Sequence, residues 1–353
     1  MRVFDGHNDT LLELHVDERG GGQSFFERSD AGHIDLPRAH AAEYGGSLFA
    51  VFVPNEGASD GAYDRRQTAD GYEIPLADPV DHTRAKRVTY EMLERLYRLE
   101  RQARERADGG FRVARSVTDI QDCLDSGAVA AVPHLEGAAA VAPDLSNLEF
   151  LYAAGVRSIG LVWSRPNAFG EGVPFRYPAT PDIGDGLTDA GRALVRACEN
   201  RGIVVDCAHL NQAGFEDVHA LTDAPLVVSH AAAHAVCPSA RTLTDDQLRA
   251  IADSNGVVGL SFATSTLRPD GEDDPETPLS TLVAHIDHIV DVAGIDHVAL
   301  GSDFDGAGVP NSIGDVTGVP PLLDALRERG YSENDVRAIA RENWLRVLAA
   351  WWS

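Results

Sequence analysis

Two residues with metal-binding side chains lie near the start of the chain, in the stretch VFDGHNDTLL over residues 3–12. His7 and Asp9 are two positions apart, at the end of a short apolar run that is typical of a β-strand. Residues i and i+2 of a strand point to the same face, so these side chains can converge on one point. An imidazole and a carboxylate so placed suit a divalent metal ion, which would need further ligands from elsewhere in the chain.

Residues of the same types recur where later predicted strands end. The segment PHLEG carries Glu136, with His134 on the same face, and the segments VDCAHL, VVSH and GSDFDG carry His209, His230 and Asp303. One histidine at the end of one strand is usually structural. Five strand ends that each carry a metal-ligand type are much harder to assign to chance, so the set predicts a metal centre.

Three histidines and several carboxylates exceed what one tetrahedral ion needs, and they suit two ions about 3.5–4 Å apart. Such a pair needs a bridging anion, either a carboxylate or a carbamylated lysine. Lys86 is the only lysine and lies within a predicted helix, so a carboxylate must bridge, and Glu136 is the first candidate. Zinc is the expected ion, although histidine and carboxylate ligands also accept manganese, cobalt or iron.

Other polar residues near these motifs receive supporting or structural roles. Carboxylates close to the ligands can orient them through hydrogen bonds, and histidines inside predicted helices or loops usually pack in the core or face solvent. The first group is Asp5, Asp206 and Asp305, and the second is His234, His285 and His288.

The alternation of apolar runs with helical segments predicts a (β/α)₈ TIM barrel with long βα-loop insertions. Strands are expected at about 2–8, 46–53, 128–135, 156–163, 202–208, 225–229, 256–262 and 297–302, with helices in many of the intervals between them. Aperiodic insertions at 10–45, 54–80, 165–186 and 263–280 follow strands and would lie on the C-terminal rim, with the metal site. We expect one such domain over residues 1–353. A doubly wound sheet is the alternative, but no glycine-rich phosphate turn follows the first strand.

Composition narrows the classes of partner. The net charge of −25 argues against nucleic acids and anionic membranes. No apolar run approaches the ~20 residues of a membrane helix, and no signal peptide or lipid-anchor signal is visible, which predicts a soluble cytoplasmic protein. The four cysteines show no CxxC spacing. The C-terminal LAAWWS places two tryptophans where they could pack in the core or at a homodimer interface.

The motifs DGHNDT, HLEG, VVSH and GSDFDG, in this order, resemble the membrane (renal) dipeptidase family of the amidohydrolase superfamily. The likeness covers nearly the whole chain, because GHIDLPRAHAAEYGGSLFAVFVP and RTLTDDQLRAIADSNGVVGLSF also resemble segments of that family. It implies a zinc-dependent dipeptidase that cleaves dipeptides with a free C-terminal carboxylate by attack of a metal-bridging hydroxide.

The resemblance also implies roles for individual residues. Asp303 matches the aspartate that handles the proton of the bridging water, and Arg241 matches the arginine that holds the free carboxylate of the substrate. The matching ligands are His7 and Asp9 for the first zinc, His209 and His230 for the second, and Glu136 as the bridge.

One position departs from the family. In GLVWSRPNAFGEG, Trp163 stands where the family typically has a histidine that assists the carbonyl oxygen of the substrate. Indole offers only one N–H donor, so the contact is weakened or passes to Arg165, Asn167 or His134. This departure leaves a related amidohydrolase acting on N-acyl amino acids or another small amide as an alternative. A deaminase, a lactonase and a non-catalytic peptide-binding barrel also remain open.

Overall fold

The computed structural model describes residues 1–17, 19, 22–55, 64–106 and 109–352. Eight parallel strands follow one another in the order β1-β2-β6-β7-β9-β10-β11-β12, and a parallel bridge between Asn8 and Phe304 brings the two ends together into a barrel. The strands are β1 (Val3–Asn8), β2 (Tyr44–Phe52), β3 (Arg66–Gln67), β4 (Tyr72–Ile74), β5 (Phe111–Val113), β6 (Val129–Glu136), β7 (Ser158–Gly160), β8 (Phe175–Tyr177), β9 (Val204–Asp206), β10 (Val227–Ala231), β11 (Val257–Leu260) and β12 (Val298–Leu300). The predicted (β/α)₈ barrel is confirmed, and each of its eight strands overlaps a predicted one.

Helices cover the outside of the barrel. The helices that the sequence predicts in the intervals between strands are present, together with others that it does not predict. They are α1 (Thr10–His15), α2 (Leu36–Ala41), α3 (His82–Glu105), α4 (Val117–Ser126), α5 (Leu148–Ala153), α6 (Asp189–Glu199), α7 (Gln212–Leu221), α8 (Asp245–Asp253), α9 (Leu279–Ala293), α10 (Val319–Arg329), α11 (Glu333–Arg337) and α12 (Asn343–Trp351), with a π-helical turn (Ala338–Glu342) joining the last two.

The barrel strands are buried on both faces, which explains their continuous apolar sequences. Inside the barrel, the backbone of β1, of β11 and of the residue just after β12 approaches the carbonyl oxygen of Ser229 very closely. A Cβ atom at Gly6, Gly259 or Gly301 would lie only 2.3, 2.2 or 2.1 Å from that oxygen. Glycine is therefore required at this level, immediately below the ends of the strands that carry the candidate ligands.

Three of the predicted insertions contain whole α-helices or strands: residues 10–45, 54–80 and 165–186. Residues 10–45 contain α1 and α2, so the expectation of an aperiodic segment is wrong there. Asp35 begins α2 by accepting the backbone N–H of Arg38 at 2.8 Å, and Pro37 occupies the first turn. Residues 56–63 of the second insertion lie outside the described residues.

A small antiparallel sheet, β3-β4-β8, joins two separate insertions above the C-terminal rim of the barrel. Tyr72 of β4 pairs with Tyr177 of β8, and their rings stack at 6.3 Å. We refer to these three strands as the rim sheet. It brings Tyr72, Ile74 and Phe175 to the wall of the cavity at the barrel mouth.

The C-terminal tryptophans have different environments. Trp351 is 5% exposed and its indole N–H donates to the carbonyl of Pro225 at 2.9 Å, so it packs in the core. Trp352 is only partly buried, and a homodimer interface remains a prediction.

None of the helices in the described ranges combines the length and apolar character that crossing a lipid bilayer would need.

Candidate metal centre

His7 and Asp9 meet at the end of β1, as their spacing predicts. Asp9 occupies the position before α1, but its side chain caps no backbone N–H of that helix. One carboxylate oxygen, Oδ2, lies 3.2 Å from His7 Nε2, and both side chains are buried. The other oxygen, Oδ1, has no hydrogen-bond partner among the described residues. A buried carboxylate oxygen without a partner is costly, so a cation is the fitting occupant.

Glu136, the last residue of β6, stands between two groups of donors. Its Oε1 lies 3.0 Å from His209 Nε2, and its Oε2 lies 3.7 Å from His7 Nε2. Burial raises the pKa of this carboxyl group well above its usual value, and the nearby charge of Asp9 raises it further. The same concentration of negative charge acts on His7. Burial opposes protonation of His7, but Glu136 and Asp9 outweigh it and raise the pKa to about 10. The site therefore attracts positive charge.

His209 and His230 complete the other side of the centre, with their Nε2 atoms 3.0 Å apart. Serine hydroxyls hold the opposite nitrogens: Ser164 Oγ lies 3.1 Å from His209 Nδ1, and Ser229 Oγ lies 2.8 Å from His230 Nδ1. The single proton of Ser229 goes to Asp206, whose Oδ2 accepts it at 2.6 Å. Ser229 must therefore accept the Nδ1–H of His230, which leaves an unshared electron pair on His230 Nε2.

Both of these histidines are neutral. Burial is the main cause that lowers their pKa values well below the usual value, and positively charged neighbours such as Arg241 and His7 lower them further. Two neutral imidazoles whose Nε2 atoms lie 3.0 Å apart, with a carboxylate oxygen 3.0 Å from one of them, are a donor set typical of a metal site. The donor set thus fits divalent metal ions.

Donor atoms from these residues fall into three groups, each within 4.8 Å. One group joins the end of β1 to Glu136, another joins Glu136 to the two neutral histidines, and the third reaches Asp303. In full, the groups are His7, Asp9 and Glu136; Glu136, His209 and His230; and His7, His230 and Asp303. Glu136 belongs to the first two groups, as expected for a bridging ligand.

Backbone conformation helps to aim these side chains. His209 has φ of 66° and Asp303 has φ of 62°, in the left-handed region that residues with a Cβ atom seldom adopt. Asp303 is the only member of the set that is not fully buried. Burial raises its pKa to about 7, with His7 acting against the increase and Asp9 adding to it.

Arg241, in the loop after β10, enters the same site. Its Nη2 lies 3.3 Å from His209 Nε2, and the side chain is 9% exposed. Burial lowers the pKa of its guanidinium to about 10, against the charges of Asp303 and Glu136, so the group stays positive at neutral pH. A buried cation beside the centre suits a carboxylate ligand.

A cavity of about 510 Å³ opens above these side chains. Its floor is polar, with Glu136, His209, His230, Asp303 and Arg241. One part of its wall is apolar and aromatic and comes from α1, β2, the rim sheet and the segment after β7: Leu12, Phe52, Tyr72, Ile74, Trp163 and Phe175. A site of this size and lining fits a small molecule with one charged end.

Comparison with known proteins identifies the family. Residues 1–351 match the model of the membrane dipeptidase family, peptidase family M19. The chain belongs to this family. A metallopeptidase from Rhodobacter sphaeroides, solved with a phosphinate mimic of the dipeptide L-Ala-D-Ala, is 43% identical, with a TM-score of 0.94 over 100% of this chain and 99% of that chain. The M19 metallopeptidase named dipeptidase AC is also 43% identical, with a TM-score of 0.89 over 100% and 99%.

A protein encoded in the pqqA 5′ region of Klebsiella pneumoniae is 46% identical over 244 residues, which cover 69% of this chain and 90% of that protein. Together, the whole-length family match and the dipeptidase structures show that the chain is a metallo-dipeptidase of the M19 type. Such an enzyme uses divalent metal ions, and the donor groups around Glu136 fit them.

The dipeptidase places Trp163 directly beside the metal centre. Its ring lies 5.9 Å from that of His209, 5.0 Å from Phe52 and 5.9 Å from Phe175. The side chain is 8% exposed and lines the cavity. The position predicted for the carbonyl-assisting histidine therefore holds an aromatic side chain that lines the cavity.

The three residues considered as substitute donors point elsewhere. Arg165 lies behind the wall, with its guanidinium 5.1 Å from the ring of Phe52 and bonded to Val53 O and Asn55 Oδ1. Asn167 bonds its own loop, donating to Leu161 O and accepting from Phe169 N, both at 2.8 Å. His134 is 0% exposed, and its Nδ1 lies 2.9 Å from Ser158 Oγ. None of the three is among the described residues that line the cavity.

Carboxylates around the centre organise it through hydrogen bonds. Asp5 accepts both the N–H and the hydroxyl of Ser302, at 2.8 and 2.6 Å, and thereby holds the residue before Asp303. Asp206 likewise accepts the backbone N–H and the hydroxyl of Ser229, at 2.8 and 2.6 Å. Asp305 accepts Thr10 Oγ1 at 2.7 Å, which ties α1 to the loop after β12.

The sequence reasoning missed the serines that fix the ligands. The dipeptides Ser-His at 229–230 and Ser-Asp at 302–303 are the visible signal, because each serine precedes a site residue. Of the remaining histidines, His234 bonds the carbonyl of Ala179 at 3.0 Å and His288 bonds Asp245 at 2.7 Å. Both histidines therefore have the structural role that is expected for them.

Proposed function

We propose that the enzyme hydrolyses dipeptides with a free C-terminal carboxylate, using two divalent ions for which zinc is the expected identity. The observation that carries this proposal is the placement of the two carboxylate oxygens of Glu136, since Oε1 lies 3.0 Å from His209 Nε2 and Oε2 lies 3.7 Å from His7 Nε2. His7 and Asp9 would hold one ion, His209 and His230 the other, and Glu136 would bridge them. When bound, such an ion pair lowers the pKa of a water molecule toward ~7 and polarises the carbonyl oxygen under attack.

Asp303 is the proton carrier in this proposal. Its carboxylate belongs to the group that includes His7 and His230, and its partial exposure lets it face both an attacking water and a bound peptide. Asp303 takes the proton of the water as general base and returns it to the leaving amine as general acid. The proton thus moves from one side of the scissile bond to the other on a single carboxyl group.

Arg241 holds the C-terminal carboxylate of the substrate. Its buried guanidinium offers several N–H donors and keeps its charge at neutral pH. A buried charge recognises a charged partner much more strongly than an exposed one, because solvent screening is absent. A substrate whose carboxylate is one residue from the scissile bond fits best, which selects dipeptides.

N-acyl amino acids are a second candidate class, favoured by the aromatic wall at Trp163 and Phe52. They present the same carboxylate to Arg241, but an acyl chain replaces the charged amine of a dipeptide. A direct comparison separates the two classes.

The test is hydrolysis of L-Ala-D-Ala, L-Ala-L-Ala and N-acetyl-D-Ala by zinc-loaded and chelated protein. We expect dipeptide turnover that chelation removes and zinc restores, with inhibition by a phosphinate mimic of L-Ala-D-Ala, the ligand class of the Rhodobacter relative. L-Ala-D-Ala amide, which lacks the carboxylate, is the control and should react far more slowly. Turnover of the N-acyl compound alone would overturn the dipeptide assignment.

A further inference from the structure

A second cavity of about 380 Å³ lies beside the first. Five residues are shared by the linings of the two cavities: Leu12, Arg19, Phe52, Ile74 and Trp163. The other described residues on the second lining come from segments after β1, β2 and β4, and Arg241 is not among them. The two aromatic side chains, Phe52 and Trp163, therefore stand between the metal centre and further space.

We call the side chains of Phe52 and Trp163 the partition. The order of the strands in the barrel indicates which end of a substrate points toward it. Among the eight strands, β2 is second and β10 is sixth, so they lie on opposite sides of the barrel. Phe52 ends β2, whereas Arg241 follows β10. A dipeptide whose C-terminal carboxylate is held by Arg241 extends across the metal centre toward β2. Its N-terminal residue then points toward Phe52, past Trp163, whose ring lies between those of His209 and Phe52, at 5.9 and 5.0 Å.

The partition is held in place from behind. The guanidinium of Arg165 packs on both rings, at 5.1 Å from Phe52 and 5.3 Å from Trp163. Arg165 is 3% exposed and is itself anchored by the carbonyl of Val53 and the side chain of Asn55. A wall supported in this way resists displacement by a large substrate side chain.

We propose that Trp163 and Phe52 are specificity-determining residues that limit the size of the N-terminal residue of the substrate, by closing the metal-side cavity against the second cavity. This inference rests on the proposed dipeptidase function and on Arg241 as the carboxylate anchor. It gives the position of the family histidine a different task in this enzyme. Small N-terminal residues fit in front of the wall, and large ones need the space behind it.

The experiment compares kcat/KM for two series, X-D-Ala with X = Ala, Leu or Trp, and Ala-D-X with the same X. In Trp163→Ala we expect the Trp-to-Ala ratio of the first series to rise at least about tenfold, a magnitude typical of changing a side-chain pocket. Trp163→Phe should give a smaller rise, and Phe52→Ala should act in the same direction. This graded set keeps the test valid if one variant does not fold.

Phe175→Ala is the matched control, since Phe175 contacts Trp163 and lines the first cavity but not the second. Phe175→Ala should change the Trp-to-Ala ratio of the X-D-Ala series by no more than about twofold, because Phe175 does not stand between the two cavities. Inhibition constants of phosphinate mimics with the same N-terminal groups give a second readout, and they should follow the same order.

An unchanged ratio in the Trp163 and Phe52 variants, or an equal change in the Ala-D-X series, would overturn the inference while leaving the dipeptidase intact. Absence of any dipeptide turnover in the zinc-loaded wild type would overturn the proposed function itself, and the inference with it.

Discussion

The Nε2 atoms of His209 and His230 lie 3.0 Å apart, and both imidazoles are held neutral. Each Nδ1 lies beside a serine hydroxyl, and because Ser229 donates to Asp206 it accepts the Nδ1–H of His230, whose Nε2 therefore directs an unshared electron pair toward His209. The fold thus fixes the tautomer of His230 and the positions of both side chains. A cation beside these Nε2 atoms is the physical reason for such an arrangement.

Ser229→Ala removes the hydroxyl that connects Asp206 to His230. His230 then loses the partner that fixes its tautomer, and we expect metal affinity to fall about 10–100-fold. Titration against a chromophoric chelator measures this change. Thr277→Ala is the control, since the hydroxyl of the buried Thr277 bonds the backbone carbonyl of Asp274 and the residue is not among the described ones that line the cavity. Equal affinities in the two variants would argue against the tautomer role.

His209→Ala and Asp303→Asn are both expected to abolish dipeptide turnover, for different reasons. The first removes a metal ligand, whereas the second removes the proton carrier and keeps an oxygen donor of similar shape. Elemental analysis should therefore find one ion fewer in His209→Ala and the full number in Asp303→Asn. Normal loading of both variants would show that the ligand assignment is wrong.

Gly306 lies against two carboxylates of the centre. A Cβ atom there would be 2.3 Å from Asp303 Oδ1 and 2.4 Å from Asp9 Oδ2, so Gly306→Ala must displace one of these groups. We expect a loss of kcat of about 100-fold, typical of a small displacement of catalytic groups. In Gly308→Ala, two residues away, the new Cβ meets Thr264 Oγ1 at an ordinary 3.5 Å, and activity should change little. Similar kinetics for both alanine variants would contradict the geometry.

His285 makes the stability of the fold depend on pH. It is fully buried between two backbone groups: Nδ1 accepts the N–H of Ala233 at 3.0 Å, and Nε2 lies 2.8 Å from the carbonyl of Leu267. Burial lowers its pKa to about 4, although the bond to Leu267 acts in the opposite direction.

Because this pKa is lower in the folded state than the ordinary 6.5, protonation favours unfolding. The contribution of neutral His285 to the free energy of unfolding is complete above pH 6.5 and is lost as the pH falls toward 4. His285→Gln cannot titrate and should show a flatter change in free energy of unfolding over that window. Urea unfolding of both proteins at several pH values measures the difference. Parallel pH profiles would refute the prediction.

The sequence was sufficient for the barrel strands and for the residues at their ends. Continuous apolar runs mark buried parallel strands, and the C-terminal ends of such strands meet on one rim, so His7, Glu136 and His230 could be brought together without a structure. The family resemblance then implied their separate roles.

The rim sheet could not be predicted. Its strands are two or three residues long and come from insertions about a hundred residues apart, so no local pattern records their pairing. The short helix α2 was missed because it has only one and a half turns. Its boundary signals, Asp35 and Pro37, are clear only once the segment is known to be helical.

Asp5 has the supporting role expected for it, although its spacing alone does not distinguish a ligand from a supporting carboxylate. It shares the strand face of His7, yet it lies one layer deeper and binds Ser302 and Tyr44 instead of facing the cavity. Alternation specifies a face of the strand, whereas depth in the barrel depends on the register with neighbouring strands.

Anomalous X-ray diffraction from crystals of the zinc-loaded enzyme tests the central claim most directly. The account predicts two peaks about 3.5–4 Å apart, one on each side of Glu136, with one carboxylate oxygen directed at each. The peak near His7 and Asp9 and the peak near His209 and His230 should have comparable occupancy. A single peak, or two peaks that do not share Glu136, would contradict the account.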